Sequence, residues 1–514
     1  MLAVRLCLGA LLGLGCASSY ERSATVEGDA IMAEGEGAVA IERSNLVDPA
    51  KETGPREGRE PPLEVPAVLT LEDALRIATQ CNRDYKTQRD TFFLTAQSLG
   101  LTRRDFKEWV FTGSLSNNLE DGEEIELFES TALAFTGTRA VLPTGGSLAI
   151  TGTWTQFYEP DAKHTITGTA SFTQPLLRGA GKSIAWEPLT LAERGLIYQA
   201  RAFEIYRQDF TISIIQQYAN LVSQKRSVKN AENRVAGADY SQRQARALYR
   251  LELGPGQTDV FRAEREYLTA QNALLDAQQG YQLALDQFKI TLGLPLSVPF
   301  DLVDEIPLPP DLDPTVDGAV DAALANRLDL TTARQQTEDA GRSVLVAKNA
   351  LLPDLDFTAA YNSIVAGNTL AEFGFEPDNW NLGISLEIPL NRKAERNAYK
   401  AALISYEQSK RSLQQTEDSA ILSVRDALRR LQQTRVQIRN DKDNIRTIER
   451  LLLKADLENR AGRVSNRDVV EATNDLAAAK DSLNDRYVSY LIDTLNLQQE
   501  MGLLFVGKNG QVLR

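Results

Sequence analysis

Between Leu189 and Leu253 the chain runs for about 65 residues without a proline, and from Ile214 onward one seam recurs at every seventh position: Ile214, Leu221, Val228, Val235, Gln242, Tyr249. Read as one helix, this is roughly 100 Å long at 1.5 Å per residue, which no compact domain contains. A second long helix ending near Arg460 carries the seam Val424, Leu431, Ile438, Ile445, Leu452. Each is followed by a glycine-containing break and a shorter return helix, with seams Val260, Tyr267, Leu274, Tyr281, Phe288 and Val469, Leu476, Leu483, Tyr490, Leu497. A strict seven-residue period means left-handed supercoiling against neighbouring helices. One such stripe describes an ordinary amphipathic helix; four matched stripes describe two helical hairpins.

The match extends beyond the stripes. LGPGQTDVFRAEREYLTAQNALL at 253–275 is restated as AGRVSNRDVVEATNDLAAAKDSL at 461–483. The helix opening at Thr70, with Asp73 placed as its capping partner, is restated at Thr315, aligning Ala74 with Ala319, Asp84 with Asp329 and Arg89 with Arg334. The first return helix, Thr258 to Leu292, ends at GLPLSVPFDLVDEIPLPPDLDP, because proline denies a helix both donor and geometry. Helices over 315 to about 350 and over 70–107 complete the two halves, the latter partnering a return helix over 465–504. The chain therefore reads as residues 1–15, an export signal; 16–66, a polar tether; 67–310, a first repeat; 311–507, a second repeat; and 508–514, a tail.

Between the helices the period changes to two. WVFTGSLSNNL, STALAFTGTRAVL, GSLAITGTWTQFY and HTITGTASFTQPLL in the first half, and DLDFTAAYNSIV and NWNLGISLEIPL in the second, alternate Thr, Ser or Asn with aromatic and aliphatic residues. Each has the length of a tilted membrane strand, and helices do not show such alternation. LPTGG at 142–146 reads as a tight turn, and NLEDGEEIELFE and IVAGNTLAEFGFEPD as longer polar loops. The fold class is mainly α with β: coiled-coil hairpins plus membrane strands, built on an internal tandem repeat.

MLAVRLCLGALLGLGCASS has the grammar of an export signal rather than a span of about 20 apolar residues. Gly13-Leu14-Gly15-Cys16 resembles a bacterial lipobox, which makes Cys16 a lipidation candidate; ordinary cleavage after Gly15 or Ala17 is the competing reading. Net charge −14 argues against nucleic acid as a partner. Three cysteines give no disulfide framework, and Cys81 is expected to pack as a small apolar residue on a helix. His164, the sole histidine, sits in the polar stretch EPDAKHT, so neither zinc chemistry nor a general base is indicated, and no cofactor is expected. LLRGAGKS lacks the first glycine of a phosphate loop, Leu176 standing in its place. The chain reads as non-enzymatic.

Taken in order, the internal repeat, Leu71-Glu72-Asp73-Ala74-Leu75, the phrase Ser171-Phe172-Thr173-Gln174-Pro175-Leu176-Leu177-Arg178-Gly179 with its echo Leu386-Glu387-Ile388-Pro389-Leu390, and Gly462-x-x-Ser465-x-x-Asp468-Val469-Val470-x-Ala472 with its echo Gly254-x-x-x-Thr258-Asp259-Val260 resemble the TolC-like outer membrane efflux proteins, in the lipoprotein-type subgroup. The resemblance covers 70 to about 504. It implies a homotrimer whose strands jointly close a transmembrane β-barrel and whose hairpins extend it as an α-barrel. The first half departs from the pattern, offering four strand candidates where two are usual.

What the resemblance implies for function is an exit duct of a tripartite efflux or type I secretion system. It passively conducts cargo delivered by an inner-membrane pump of RND, ABC or MFS type through a periplasmic adaptor. The hairpin tips, Gly254, Thr258, Gly462, Val464 and Ser465, are the implied adaptor contacts. Thr258 and Ser465 are read as N-caps, and Gly254, Gly256 and Gly462 as left-handed turn residues. Asp468 and Glu471, with Asp259 as repeat equivalent, are the implied acidic rings of a periplasmic aperture. An acidic residue at a helix start also simply favours the helix dipole. Pro175, Gly179 and Pro389 mark strand-to-helix junctions. The alternative from another class is a periplasmic coiled-coil scaffold or adaptor without a channel, and the six strand candidates argue against it.

Overall fold

The computed structural model describes residues 65–121, 127–139, 142–157, 163–251, 256–304, 312–367, 379–460, 464 and 466–513. In chain order the elements are β1 (Val68–Leu69), α1 (Leu71–Cys81), α2 (Arg83–Lys107), β2 (Val110–Asp121), β3 (Leu127–Arg139), β4 (Ser147–Phe157), β5 (Lys163–Pro175), α3 (Lys182–Ala185), α4 (Glu187–Arg250), α5 (Gln257–Leu292), β6 (Asp301–Leu302), α6 (Val316–Asn326), α7 (Leu328–Asn349), β7 (Asp354–Gly367), β8 (Asn379–Glu387), α8 (Lys393–Arg460), α9 (Asn466–Glu500), β9 (Phe505–Val506) and β10 (Val512–Leu513). They form two compact units. One comprises Asp90–Arg201 and Thr332–Gln414; the other comprises the described residues up to Arg89, Ala202–Thr331 and Gln415–Arg514. Each unit draws on both sequence repeats, so the repeats at 67–310 and 311–507 are not separately folded bodies.

In the sheet-bearing unit, β2-β3-β4-β5-β7-β8 form one antiparallel sheet in that order. All six strand candidates are present. β2 and β3 extend into the segment expected to be a long polar loop, leaving only 122–126 between them; β7 likewise runs to Gly367, into the second expected loop at 364–378, whose remainder, 368–378, lies outside the described residues. Beside the sheet, a half-buried charge network built on the buried carboxylates of Glu187 and Asp339 joins α4 to α7. The carboxylate of Glu187 accepts from Arg342 Nε at 2.9 Å, and both Arg342 and Arg194 donate to Asp339 Oδ1 at 2.7 Å. Tyr198 donates to Asp339 Oδ2, and burial together with that carboxylate pushes its hydroxyl up to about 12. Neither residue period announces this network, because its members are ordinary helix-surface types.

The helical unit carries the largest apolar cluster: Leu75 and Ile77 of α1, Ile214, Tyr218 and Leu221 of α4, Phe288 and Leu292 of α5, and Leu491 and Leu495 of α9. Phe300 and Leu302, from the proline-rich segment, fold onto it. The heptad seams face inward as expected except at Tyr249, which is 45% exposed. Along α4 and α9 the seam is supplemented by a polar ladder. Ser223 donates to Asp485 at 2.9 Å, Ser227 and Asn230 to Asp481 at 3.1 and 2.6 Å, and Arg234 to Asn474 at 2.7 Å. Such bonds fix the antiparallel register more strictly than apolar contact does.

The opening helices differ from expectation in a way both repeats share. The segment 70–107 is two helices, broken at Asn82 (ψ 134), and the segment from 315 is broken at Arg327 (ψ 126). The first pieces, α1 and α6, each have 11 residues and begin at the expected caps: Thr70 Oγ1 accepts from Asp73 N, and Thr315 Oγ1 from Gly318 N. At the first break Asn82 Oδ1 accepts from Tyr85 N at 2.8 Å, starting α2, while Asn82 Nδ2 donates to Thr291 O at 2.6 Å. The tail also differs: β10 pairs antiparallel with β9, and Gly510 (φ 75) lies over Leu75 and Thr79 of α1. Cys81, half-buried with a free thiol, ends α1.

Candidate functional site: a two-faced sheet and the ends of the hairpins

Strand register sorts the sheet's side chains into two chemically distinct faces. On one, Phe111, Gly137, Ile150, Ala170, Tyr361 and Trp380 lie side by side across all six strands. Next to them come Gly113, Phe135, Gly152 and Gly168, and, nearer the helices, Phe172, Ala359 and Leu382. Phe111, Leu115, Trp380 and Ile384 on this face are more than 70% exposed. On the other face the corresponding row is Thr112, Thr136, Thr151, Thr169, Asn362 and Asn379, flanked by Ser114, Thr153 and Thr167 on one side and Ser171, Ala360 and Asn381 on the other. Alternation at period two is what a barrel wall between lipid and water requires. Aromatic rings cover two glycines of the apolar face, while Gly152 and Gly168 have open space above them: a Cβ on Gly113 would meet the Phe135 ring at 3.5 Å, and one on Gly137 would meet Phe111 at 2.6 Å.

The sheet does not close on itself. β2 and β8 are its edges, with no further strand paired to either among the described residues. In hydrocarbon such edges are costly, several kcal/mol per unmet group on the order-of-magnitude scale. Among the described residues no helix is long and apolar enough to cross a membrane.

The junction residues sit where the strands give way to helices. Pro175 ends β5 opposite Asp356, a position that needs no further ladder donor. Gly179 takes φ 79 and its N–H donates to Asn349 Oδ1 at 2.8 Å, while Asn349 Nδ2 donates to Leu177 O. The LPTGG turn packs on the same junction: Trp186 Nε1 donates to Leu142 O at 3.3 Å, and a Cβ on Gly145 (φ 93) would come within 2.5 Å of Gly179 O. Pro389 follows β8, its carbonyl accepting from Arg392 Nε at 3.3 Å, and Arg392 Nη1 donates to Leu351 O at 2.8 Å.

At the hairpin ends several expected residues, Gly254, Gly462 and Ser465, lie outside the described set, as does Cys16; α9 begins at Asn466, just after Ser465. Val464 is half-buried in a bend. Thr258 is not an N-cap. α5 starts at Gln257 with Gly256 as cap, in extended rather than left-handed conformation (φ −73, ψ 163). The reason is Asp259, three residues into the turn: its carboxylate accepts from Gly256 N at 3.2 Å, and its own N–H donates to Gly256 O. Thr258 is exposed within the first turn.

Asp259 is thus occupied in starting its own helix and paired with Arg262 at 3.4 Å. Asp468 and Glu471 are exposed on the first turns of α9, Glu471 beside Arg467 at 3.8 Å. Slightly deeper, Arg234, Glu266, Asp456, Val469 and Asn474 border a cavity of about 140 Å³ among α4, α5, α8 and α9. Sequence reasoning did not find it, because its residues come from four helices.

Comparison with known proteins agrees with this geometry. Residues 319–503 match the family model of the Outer membrane efflux protein. The chain is 23% identical over 340 residues to Outer membrane protein TolC of Escherichia coli (strain K12), a match covering 62% of this chain and 66% of the relative. It is 24% identical over 304 residues to Outer membrane efflux protein BepC of Brucella suis biovar 1 (strain 1330), covering 57% and 63% respectively. The chain thus spans just under two thirds of the length of the curated relatives it matches. Among solved structures, CusC superposes with a TM-score of 0.63 at 16% identity, covering 88% of this chain and 99% of that one. The Campylobacter jejuni CmeC outer membrane channel superposes with 0.62 at 16% identity, covering 84% and 85%. Over residues 319–503 the sequence is thus similar to the outer membrane efflux proteins, and over most of its length the chain has the fold of the solved outer-membrane channels.

Proposed function

We propose that this protein is an outer-membrane exit duct, passively conducting cargo handed on by an inner-membrane pump and a periplasmic adaptor, in efflux or type I secretion. The observation that carries the reading is the two-faced, open-edged sheet: an apolar face for lipid, a hydroxyl and amide face for water, and two strand edges that only further copies of the chain can satisfy. A homotrimer, as the family resemblance implies, supplies those copies. Self-association of the helices has independent support in α5, where Phe261, Leu268, Leu275, Leu283 and Ile290 form a stripe more than half exposed on the single chain. In this reading the cysteine at position 16 carries the lipid anchor, and the tips around Gly254, Thr258, Gly462, Val464 and Ser465 meet the adaptor.

The deciding experiment is conductance of the purified protein in a planar bilayer, after its subunit number and intact mass have been measured on the same preparation. A trimer giving discrete cation-preferring channels is the expected result, with a mass showing acylation at Cys16. A soluble monomer with no conductance would instead favour the coiled-coil scaffold.

Asp468 and Glu471 are proposed as stacked acidic rings at the periplasmic aperture, supported by their exposure and by neighbouring positions on one helix. Asp259 is a weaker third member, its carboxylate already turned back on its helix start. The double variant Asp468→Ala with Glu471→Ala is expected to weaken divalent-cation block of the channel by about tenfold, as loss of a multi-carboxylate site does. Unchanged block in a conducting trimer removes the assignment.

A further inference from the structure

The four-strand pattern that the family resemblance implies has no place for β3 and β4, yet here they occupy the middle of the sheet. β3 is bonded along β2 from Val110 to Asp121, and β4 along β5 from Ser147 to Phe157. Both rows of matched chemistry run through them without interruption: Ile150 continues the apolar row between Gly137 and Ala170, and Thr151 continues the hydroxyl row between Thr136 and Thr169. Were the hairpin outside lipid, Leu133, Phe135, Leu148, Ile150 and Trp154 would give water a contiguous apolar patch, which soluble surfaces avoid. Its turn is tied to the strand-to-helix junction, with Thr144 Oγ1 donating to Gln174 Oε1 at 2.6 Å and Gly181 N donating to Thr144 O at 3.0 Å. Six alternating strands also leave β2 and β8 running in opposite senses, so each joint between copies is antiparallel like every joint inside them.

We propose that all six strands of each copy stand in the membrane wall, so that the duct's barrel has 18 strands, six from each of three copies. The inference rests on the duct reading above. Barrel diameter grows roughly linearly with strand number, so the bore is about half as wide again as a wall with four strands per copy would give, and 18 strands fall in the range that leaves an open aqueous channel. Among the described residues the lining from the Ser114 row to the Thr173 row is hydroxyl, amide and apolar groups, Ile364 the largest of them, without a carboxylate; Asp354, Asp356 and Glu387 stand beyond it, beside the helices. The exit is therefore wide and does not sort cargo by charge along most of its length.

Cysteine labelling tests this on the assembled protein. In a Cys81→Ala background, with that parent as blank, Ile150→Cys and Thr151→Cys probe the hairpin, and Leu382→Cys and Asn381→Cys probe β8. Proteoliposomes are treated with a sulfonated, water-soluble maleimide or with pyrene maleimide. Thr151→Cys and Asn381→Cys are expected to take the water-soluble reagent at least about tenfold faster than Ile150→Cys and Leu382→Cys, which take the pyrene reagent, in line with lipid and water faces alternating. If Ile150→Cys takes the water-soluble reagent as fast as Thr151→Cys while Leu382→Cys stays protected, the hairpin lies outside the wall; the inference fails and the duct reading stands. If neither pair alternates, the membrane reading itself fails.

Discussion

Gly293→Ala is expected to cost the helical unit about 3 kcal/mol, combining a left-handed alanine at about 1–2 kcal/mol with forced displacement of tightly packed backbone at about 1–3. Gly293 ends α5 with φ 76, its N–H and that of Leu294 donating to Ile290 O and Lys289 O. A Cβ there would overlap the Cys81 carbonyl at the end of α1. The second repeat uses the same device: Gly502, after α9 and at φ 69, would place a Cβ 2.7 Å from the backbone carbon of Asn326 at the end of α6. Urea unfolding followed by helical circular dichroism measures the effect. Gly280→Ala provides the opposite sign, since Gly280 lies exposed inside α5 with open space around it, and alanine there should stabilise by about 0.5–1 kcal/mol. Equal stability of the two variants would mean the α5–α1 contact is not formed as described.

Arg327→Met is expected to destabilise by about 1.5–3 kcal/mol, the range for hydrogen bonds to charged groups and less than for a fully buried ion pair, because Arg327, Asp329 and Glu500 are only half-buried. Arg327 donates to Asp329 Oδ2 at 2.7 Å, to Ser423 Oγ at 3.1 Å and to Glu500, while Ser423 donates to Glu500 at 2.6 Å. Without the guanidinium, two carboxylates remain close together with one hydroxyl. Adding Glu500→Gln should recover part of the loss, because it removes the repulsion. The network also has a pH signature. Burial pushes the Asp329 carboxyl up, but the hydrogen bond and charge of Arg327 override this and hold it below the ordinary carboxylate value. A lowered folded-state value contributes stability above the unfolded pKa of about 3.9 and loses it as pH falls through the folded value. Arg327→Met should therefore flatten the acid limb of stability below about pH 4; an unaltered limb would show that Asp329 does not draw its stabilisation from Arg327.

Much of the architecture was legible because it rests on periods and caps. The heptad seams located α4, α5, α8 and α9, and Thr70 and Thr315 marked helix starts whose hydroxyls accept from the third residue on. All six strands were readable because Thr alternates with aromatic and aliphatic residues. The breaks at Asn82 and Arg327 were missed because neither is proline or glycine; Asn82 stops one helix by capping the next, a tertiary choice made jointly with Thr291. At the first hairpin end the sequence favours Thr258 as cap and Gly256 as a left-handed turn residue; Asp259 reverses both by reaching back to Gly256, which caps the helix in extended conformation. The Glu-rich segment after β2 reads as loop by composition, whereas ladder pairing carries β2 to Asp121 and resumes in β3 at Leu127. Residues gathered from separate helices, such as Glu187, Arg194, Asp339 and Arg342, leave no local trace at all.

On β2, Phe111, Gly113 and Leu115 alternate with Thr112 and Ser114; on β8, Trp380, Leu382 and Ile384 alternate with Asn379, Asn381 and Ser385. Where such edges meet between copies, a slip of one residue inverts every side chain of one copy relative to the other. Phenylalanine and leucine would then enter the water-filled bore, and threonine and serine the hydrocarbon, at several places at once. In the proposed assembly the surrounding bilayer would thus proofread the joints, tolerating a displacement of two residues and rejecting a displacement of one.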